Sequence, residues 1–440
     1  MSLSVSEQTS LLKKCVDREL DLDEELSKLG LSYDDLVYRK SSLNDGLLPM
    51  DTVEIDVQRI EDLRCAPNGI PCVSFFSGCG GLDIGFEYAG FKSIISIEKN
   101  PLFCKTLKKN ALSDTILGLP GSIGDAKNRQ AIVEQLQKLL GRNDAGFEGV
   151  FHGGPPCQSF SIAANQRFSK NGANFKRIGF SHNDYGTLLF DYVHYIKTFK
   201  PVAFLIENVA GLLTVDDGDQ VSDAISELRA VGYSVAEPVV VNAADYGVPQ
   251  NRMRAFIVGH RRNNKAFVFP APVQTKVPCD PVFKMPISKA NSHVTRKHKA
   301  QSILRYMELD FGQRDHLGRV DRLDPRLPSK TVIAGGSNGG GRSHLHPYIP
   351  RTLSVRECAR LQTFPDNYEF VGTAARQFTQ VGNAVPPLLA FHIATAMYDQ
   401  LFVRSGKSRG VFTYEIQTTQ QSASLVRETR RASRRRVSRR

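Results

Sequence analysis

The sequence predicts an α/β protein built on a doubly wound, mostly parallel sheet, with a smaller basic domain beside it. Three observations predict it. Between Pro71 and Arg262, apolar runs (PCVSFFSG, FKSIISIE, FEGVFHGG, PVAFLIENV, YSVAEPVVVNA, RAFIVGH) alternate with amphipathic stretches such as QAIVEQLQKLL, the pattern of strands separated by helices that cover both sheet faces. Polar and glycine-rich motifs stand at the carboxyl ends of those runs, where ligands collect in such sheets. From 263 the regularity fails, and it returns only after 346.

In chain order, residues 1–70 are acidic, and DLDEELSKLG followed by LSYDDLVYRK reads as short helices with Gly30 closing the first. We expect a solvated helical extension there. Residues 71–262 form the sheet domain. Residues 263–346 are rich in Pro, Lys, Arg, His and Gly, including GGSNGGGRSHLHP, and read as a separate basic subdomain. Residues 347–402 return to the main domain through the amphipathic TLSVRECARLQTF and the long apolar helix of AVPPLLAFHIATAMYDQLF. The tail, 403–440, holds eleven Arg or Lys against two Glu and is predicted disordered.

That tail carries most of a formal net charge of +12, a balance that favours a polyanion partner. The eight cysteines form no CxxC pair, which argues against a zinc site or a disulfide framework and for reduced thiols in a cytoplasmic protein. No apolar run reaches the length of a membrane span, so no membrane and no metal are expected among the partners.

Six motifs carry chemistry. FFSGCGGLDIGFEYAG runs from a strand through Gly78, Gly80 and Gly81 into a helix, so backbone can approach a ligand whose polar groups meet the helix N-terminus. Glu98 ends FKSIISIE, where a carboxylate can accept both hydroxyls of a ribose, and Asp125 in GSIGDA can accept from an adenine amino group. Glu207 ends the hydrophobic PVAFLIENV, where an ionised carboxylate is costly without a partner. Arg252 and Arg254 in QNRMR alternate and so face one side of an extended segment. Finally, GGPPCQSFS sets Cys157 behind two prolines that fix the backbone.

The ordered set FSGCGG, GGPPCQSFS, ENV, QNRMR, RECARLQTFPD and GNAVP resembles the motif series of the cytosine-C5 DNA methyltransferases, over roughly Pro71 to Leu401. The resemblance implies the fold of the S-adenosylmethionine-dependent methyltransferases, with 263–346 as a target-recognition domain. It implies Cys157 as the nucleophile that adds to cytosine C6, Glu207 as the group that engages N3 and supplies a proton, Arg254 on the base carbonyl, and Arg252 in support. S-adenosylmethionine would be held by Phe76, Gly78, Cys79, Gly80, Gly81, Leu82, Glu98, Asp125, Pro156, Leu188, Asn383, Ala384 and Val385. Gln158, Ser159, Thr331 and Val332 would face double-stranded DNA, with the base flipped out of the helix by a protein acting as a monomer.

Two positions depart from the family. Lys99 stands where an aromatic residue often stacks on adenine, leaving Phe76 or Ile123 to do so, and Tyr185 replaces an arginine that contacts phosphate. The expected function is that of a modification enzyme of a bacterial restriction system. A tRNA-methylating enzyme of the same fold and a catalytically silent DNA-binding relative are the alternatives.

Overall fold

The structure is a computed structural model that describes residues 3–39, 60–140, 146–156, 188–272, 276–287, 292–334 and 344–403. Its centre is an eight-stranded sheet. Strands β1 (Pro71–Phe75), β2 (Lys92–Glu98), β3 (Thr115–Gly118), β4 (Val150–Gly153) and β5 (Ala203–Asn208) pair in parallel in the order β3-β2-β1-β4-β5. β6 (Ser234–Val235) and β7 (Val239–Asn242) both pair with β8 (Met253–His260), which runs antiparallel beside β5. The order reverses between β1 and β4, and a crevice opens at the carboxyl ends of strands at such a switch point.

Side chains alternate across the strands, as a period of two requires. On β5, Ala203 and Leu205 enter one core, while Phe204 and Ile206 enter the other. The first core lies under α3 (Gly81–Tyr88) and α12 (Pro387–Leu401). These helices approach closely because Gly85 has no side chain: a Cβ there would sit 2.4 Å from the Ala390 Cβ and 2.6 Å from the Phe391 nitrogen. The second core is covered by α5 (Ala126–Leu140), α6 (Leu188–Phe199) and α7 (Asp219–Ala230). Between them, α4 (Pro101–Lys109) starts after β2, capped by Asn100 with proline at its first turn.

The amino-terminal segment departs from the solvated extension expected of it. Its helices α1 (Val5–Asp17) and α2 (Leu22–Lys28) bury Leu12, Cys15, Leu22 and Leu26 in a third core. The other half of that core comes from α9 (Ala300–Tyr306), β10 (Val320–Arg322) and β11 (His344–Leu345). β10 and β11 form a small sheet with β9 (Arg314–Asp315). Nor is 263–346 separate throughout: Phe267, Cys279, Val282, Leu323 and Val332 belong to the main core, and α8 (Asp280–Lys284) packs on α10 (Val355–Leu361). A last helix, α11 (Ala374–Asn383), leads into α12.

Candidate active site

A cavity of about 880 Å³ opens at the switch point, lined from the ends of β1, β2, β4 and β5 and from α11. The turn after β1 begins with Phe76 in the left-handed region (φ 54°) and continues through Gly78 (φ 58°) and Gly80 (φ 85°), so the chain reverses tightly into α3. Gly80 is the N-cap of α3 and offers no side-chain cap. The helix N-terminus beside the cavity residues Gly81 and Leu82 therefore presents its positive end to the cavity.

At the end of β2, Glu98 accepts the Gly78 N–H (2.8 Å) on one oxygen and the Asn100 N–H (2.7 Å) on the other. Burial pushes its carboxyl above the usual range, against those two donors. Asp125 accepts the Ser122 N–H at 2.9 Å, and both carboxylates line the cavity. Phe76 and Ile123 line it as well, as does Lys99.

At the opposite end, Glu207 Oε1 lies 2.8 Å from Arg254 Nε, with both side chains close to nine-tenths buried. Burial raises the Glu207 carboxyl, opposed by the charges of Arg254 and Arg252. Gly154 brings the loop after β4 against this carboxylate, since a Cβ there would stand 2.6 Å from Glu207 Oε2. Asn208 donates to the Pro155 carbonyl at 3.1 Å and so ties that loop to β5. The loop reaches the cavity at Pro156; Cys157, Gln158, Ser159 and Tyr185 lie outside the described residues.

The cavity thus brings together Glu207, Arg254, Phe76, Gly78, Cys79, Gly81, Leu82, Glu98, Asp125, Pro156, Leu188, Asn383, Ala384 and Val385. Three expectations need correction. Gly80 is not on the wall: its glycine serves the turn and the packing, as a Cβ would fall 2.2 Å from Leu112. Arg252 is not on the wall either. Fully buried, it donates to the carbonyls of Val332 (2.9 Å), Gly382 (2.8 Å) and Ala384 (2.8 Å), and so acts on the cavity through backbone it holds. Val332 is buried in the main core and does not line the cavity. Thr331, half-buried, donates to the Asn251 carbonyl at 2.6 Å.

Asp191 was missed. It lines the cavity from α6, pairs with Arg129 at 2.8 Å, and abuts Gly124, where a Cβ would meet its carboxylate. Gln380 was missed too; it lines the cavity while its side chain accepts from Thr106 (2.6 Å) and its carbonyl contacts the Cys79 thiol (3.3 Å). Among the described residues no group of three or more His, Cys, Asp or Glu is arranged to hold a metal ion, and no helix is long and apolar enough to cross a membrane.

The family model of the C-5 cytosine-specific DNA methylases matches residues 70–399. The Type II methyltransferase M.FnuDI of Fusobacterium nucleatum is 32% identical over 358 residues, 75% of this chain and 94% of that protein. The Type II methyltransferase M.MthTI of Methanothermobacter thermautotrophicus is 35% identical over 343 residues, covering 73% and 94%. Among solved structures, a protein assigned as a DNA modification methyltransferase encoded within an E. coli prophage aligns with a TM-score of 0.57 at 23% identity, over 75% of this chain and 99% of that one. It shares the fold.

Proposed function

The chain belongs to the C-5 cytosine-specific DNA methylases, and from that premise we propose that it methylates a flipped-out cytosine in duplex DNA, through a covalent bond from Cys157, to protect that DNA from a cognate nuclease. Enzymatic DNA cytosine-C5 methylation itself follows from the family. The observation that carries the finer reading is the convergence, in one cavity, of the buried Glu207–Arg254 pair with the Glu98 and Asp125 carboxylates.

The residues fit S-adenosylmethionine. The uncapped start of α3 suits its carboxylate, Glu98 the ribose hydroxyls, Asp125 the adenine amine, and Phe76 and Ile123 the adenine face. When bound, that cofactor supplies an electrophilic methyl group for C5. Asn383, Ala384 and Val385 would hold its methionine part, with Leu188 and Pro156 closing the wall.

Cytosine C5 is a poor nucleophile, so the ring must be activated by addition of a thiolate to C6. Cys157 follows Pro156, whose loop is held by Asn208 and Gly154 against Glu207. As the thiolate adds, charge develops on the ring. Glu207, whose carboxyl is raised by burial against the opposing charges of Arg254 and Arg252, supplies a proton to N3, and Arg254 neutralises the carbonyl side. Loss of the C5 proton to water then expels the Cys157 thiolate, and N3 returns its proton to the Glu207 carboxylate, which restores the ring and the acid. The protective role is supported by the Type II relatives, and a single copy suffices for a one-base reaction.

The test is incubation of the purified protein with methyl-tritiated S-adenosylmethionine and duplex DNA, beside total tRNA, with Cys157→Ser in parallel. Label in DNA as 5-methylcytosine, abolished in the variant, is the expected result. Label in tRNA alone, or in neither substrate, overturns the proposal.

A further inference from the structure

The amino-terminal segment 3–39 precedes the 70–399 family match and supplies half of the core under the small sheet. Its attachments reach beyond apolar packing. Asp34 accepts from Arg351 Nε at 2.5 Å, while the same guanidinium, 1% exposed, holds Glu357 of α10 through two bonds of 2.7 and 2.9 Å. Asp34 also meets His293 at 3.0 Å. The Tyr38 ring covers the Arg322 guanidinium at 3.5 Å from its centroid, and the Tyr38 hydroxyl donates to the His346 carbonyl at 2.8 Å. Arg39 N–H donates to the Met307 carbonyl at 3.1 Å.

These contacts lie one short step from the base-binding end of the cavity. His346 follows β11, whose His344 Nε2 is 3.2 Å from the Thr331 carbonyl. Thr331 in turn donates to Asn251, and two residues beyond Asn251 begins β8 with Met253 and Arg254. Tyr38 thus fixes a backbone carbonyl beside the strand that orients Thr331, and Asp34 fixes the arginine that anchors α10.

We propose that Asp34 and Tyr38 are positioning residues for DNA: the segment 3–39 is a built-in brace that sets the Thr331 segment and the small sheet for binding the duplex. This rests on the function proposed above. A side-chain brace of this kind acts on the ground-state fit of DNA and leaves the cofactor end, on the far strands β2 and β3, untouched.

The experiment uses the full chain with Asp34→Ala, Tyr38→Phe and the double variant, beside Glu24→Gln on the exposed face of α2 as control. Kd for duplex DNA, KM for DNA, KM for S-adenosylmethionine, kcat and amide exchange of α9, β10 and β11 are measured. Each lost hydrogen bond should raise Kd and KM for DNA about five- to tenfold, with faster exchange in β10 and β11 and with kcat and the cofactor KM within about twofold of wild type. Faster exchange with an unchanged DNA Kd makes the segment structural only and overturns the proposal; so does a parallel fall in kcat and cofactor affinity. A wild-type chain that labels no DNA overturns the function proposed above, and the duplex Kd still decides the brace.

Discussion

Arg254 and Glu207 form a buried ion pair at 2.8 Å on adjacent antiparallel strands, with Gly154 so near that a Cβ there would stand 2.6 Å from the Glu207 carboxylate. Burial of the pair disfavours the Glu207 charge while Arg254 favours it, the balance on which the proposed proton transfer to the base would draw.

Glu207→Gln should lower kcat by about 10²–10⁴-fold, the range of a lost general acid, with duplex binding retained. Because the protonated form donates, the wild-type rate is full below the raised pKa and falls as pH climbs through it. A kcat profile from pH 5 to pH 9 checks this. The alkaline limb belonging to Glu207 should be absent in the variant.

Gly154→Ala probes the same contact from the backbone side. The new methyl would arrive 2.6 Å from Glu207 Oε2, so the carboxylate must turn away from Arg254. Displacement of a reacting group by about 1 Å costs about 10²-fold in rate. We expect that loss in kcat, with a melting temperature within a few degrees of wild type, measured by single-turnover methyl transfer and calorimetry.

Most of the sheet and its site were legible in the sequence because strand ends carry both the pattern and the chemistry: Glu98, Glu207 and the glycine turn all follow apolar runs that end where the cavity opens. Residues that act from elsewhere were not. Asp191 sits on an amphipathic helix, where a carboxylate reads as a solvated face, and only the crossing of α6 past Gly124 brings it to the wall. Arg252 shares an alternation with Arg254, yet alternation cannot tell which guanidinium meets solvent and which meets carbonyls. The amino-terminal helices did carry a signal. Leu12 with Cys15, and Leu22 with Leu26, recur at helical spacing, marking apolar faces that need a partner; which surface they cover depends on tertiary contacts alone.

Arg252→Lys should destabilise the protein by about 2–4 kcal/mol, because a compact ammonium cannot span three carbonyls that a planar guanidinium reaches. Since Ala384 is one of those partners and lines the cavity, the KM for S-adenosylmethionine should rise as well. Denaturant unfolding with and without cofactor measures both. Unchanged stability would show that the three bonds contribute little.

Glu98→Ala removes the acceptor of the Gly78 and Asn100 N–H groups together with the proposed ribose ligand. The Kd for S-adenosylmethionine, by calorimetric titration, should rise about 10- to 100-fold. At saturating cofactor kcat should stay close to wild type. A fall in kcat without a change in Kd would place Glu98 outside the cofactor's contacts.

Acid should act first on the anchor formed by Arg351 and Glu357. Burial alone would raise the Glu357 carboxyl, but Arg351 outweighs it and holds the value down from 4.5 to about 2. A carboxyl depressed on folding contributes stability that is present above its unfolded value and is lost as pH falls through its folded one. The loss therefore runs from about pH 4.5 down to about pH 2, and Asp34, lowered against its burial by the His293 bond and by the same arginine, adds to it. Glu357→Gln removes most of that acid dependence while leaving Arg351 buried with one partner fewer, which costs about 3–5 kcal/mol at neutral pH. Melting temperatures from pH 7 to pH 2 should show a steep acid limb in the wild type and a flatter one, starting lower, in Glu357→Gln. Equal slopes would assign the acid limb to other carboxylates.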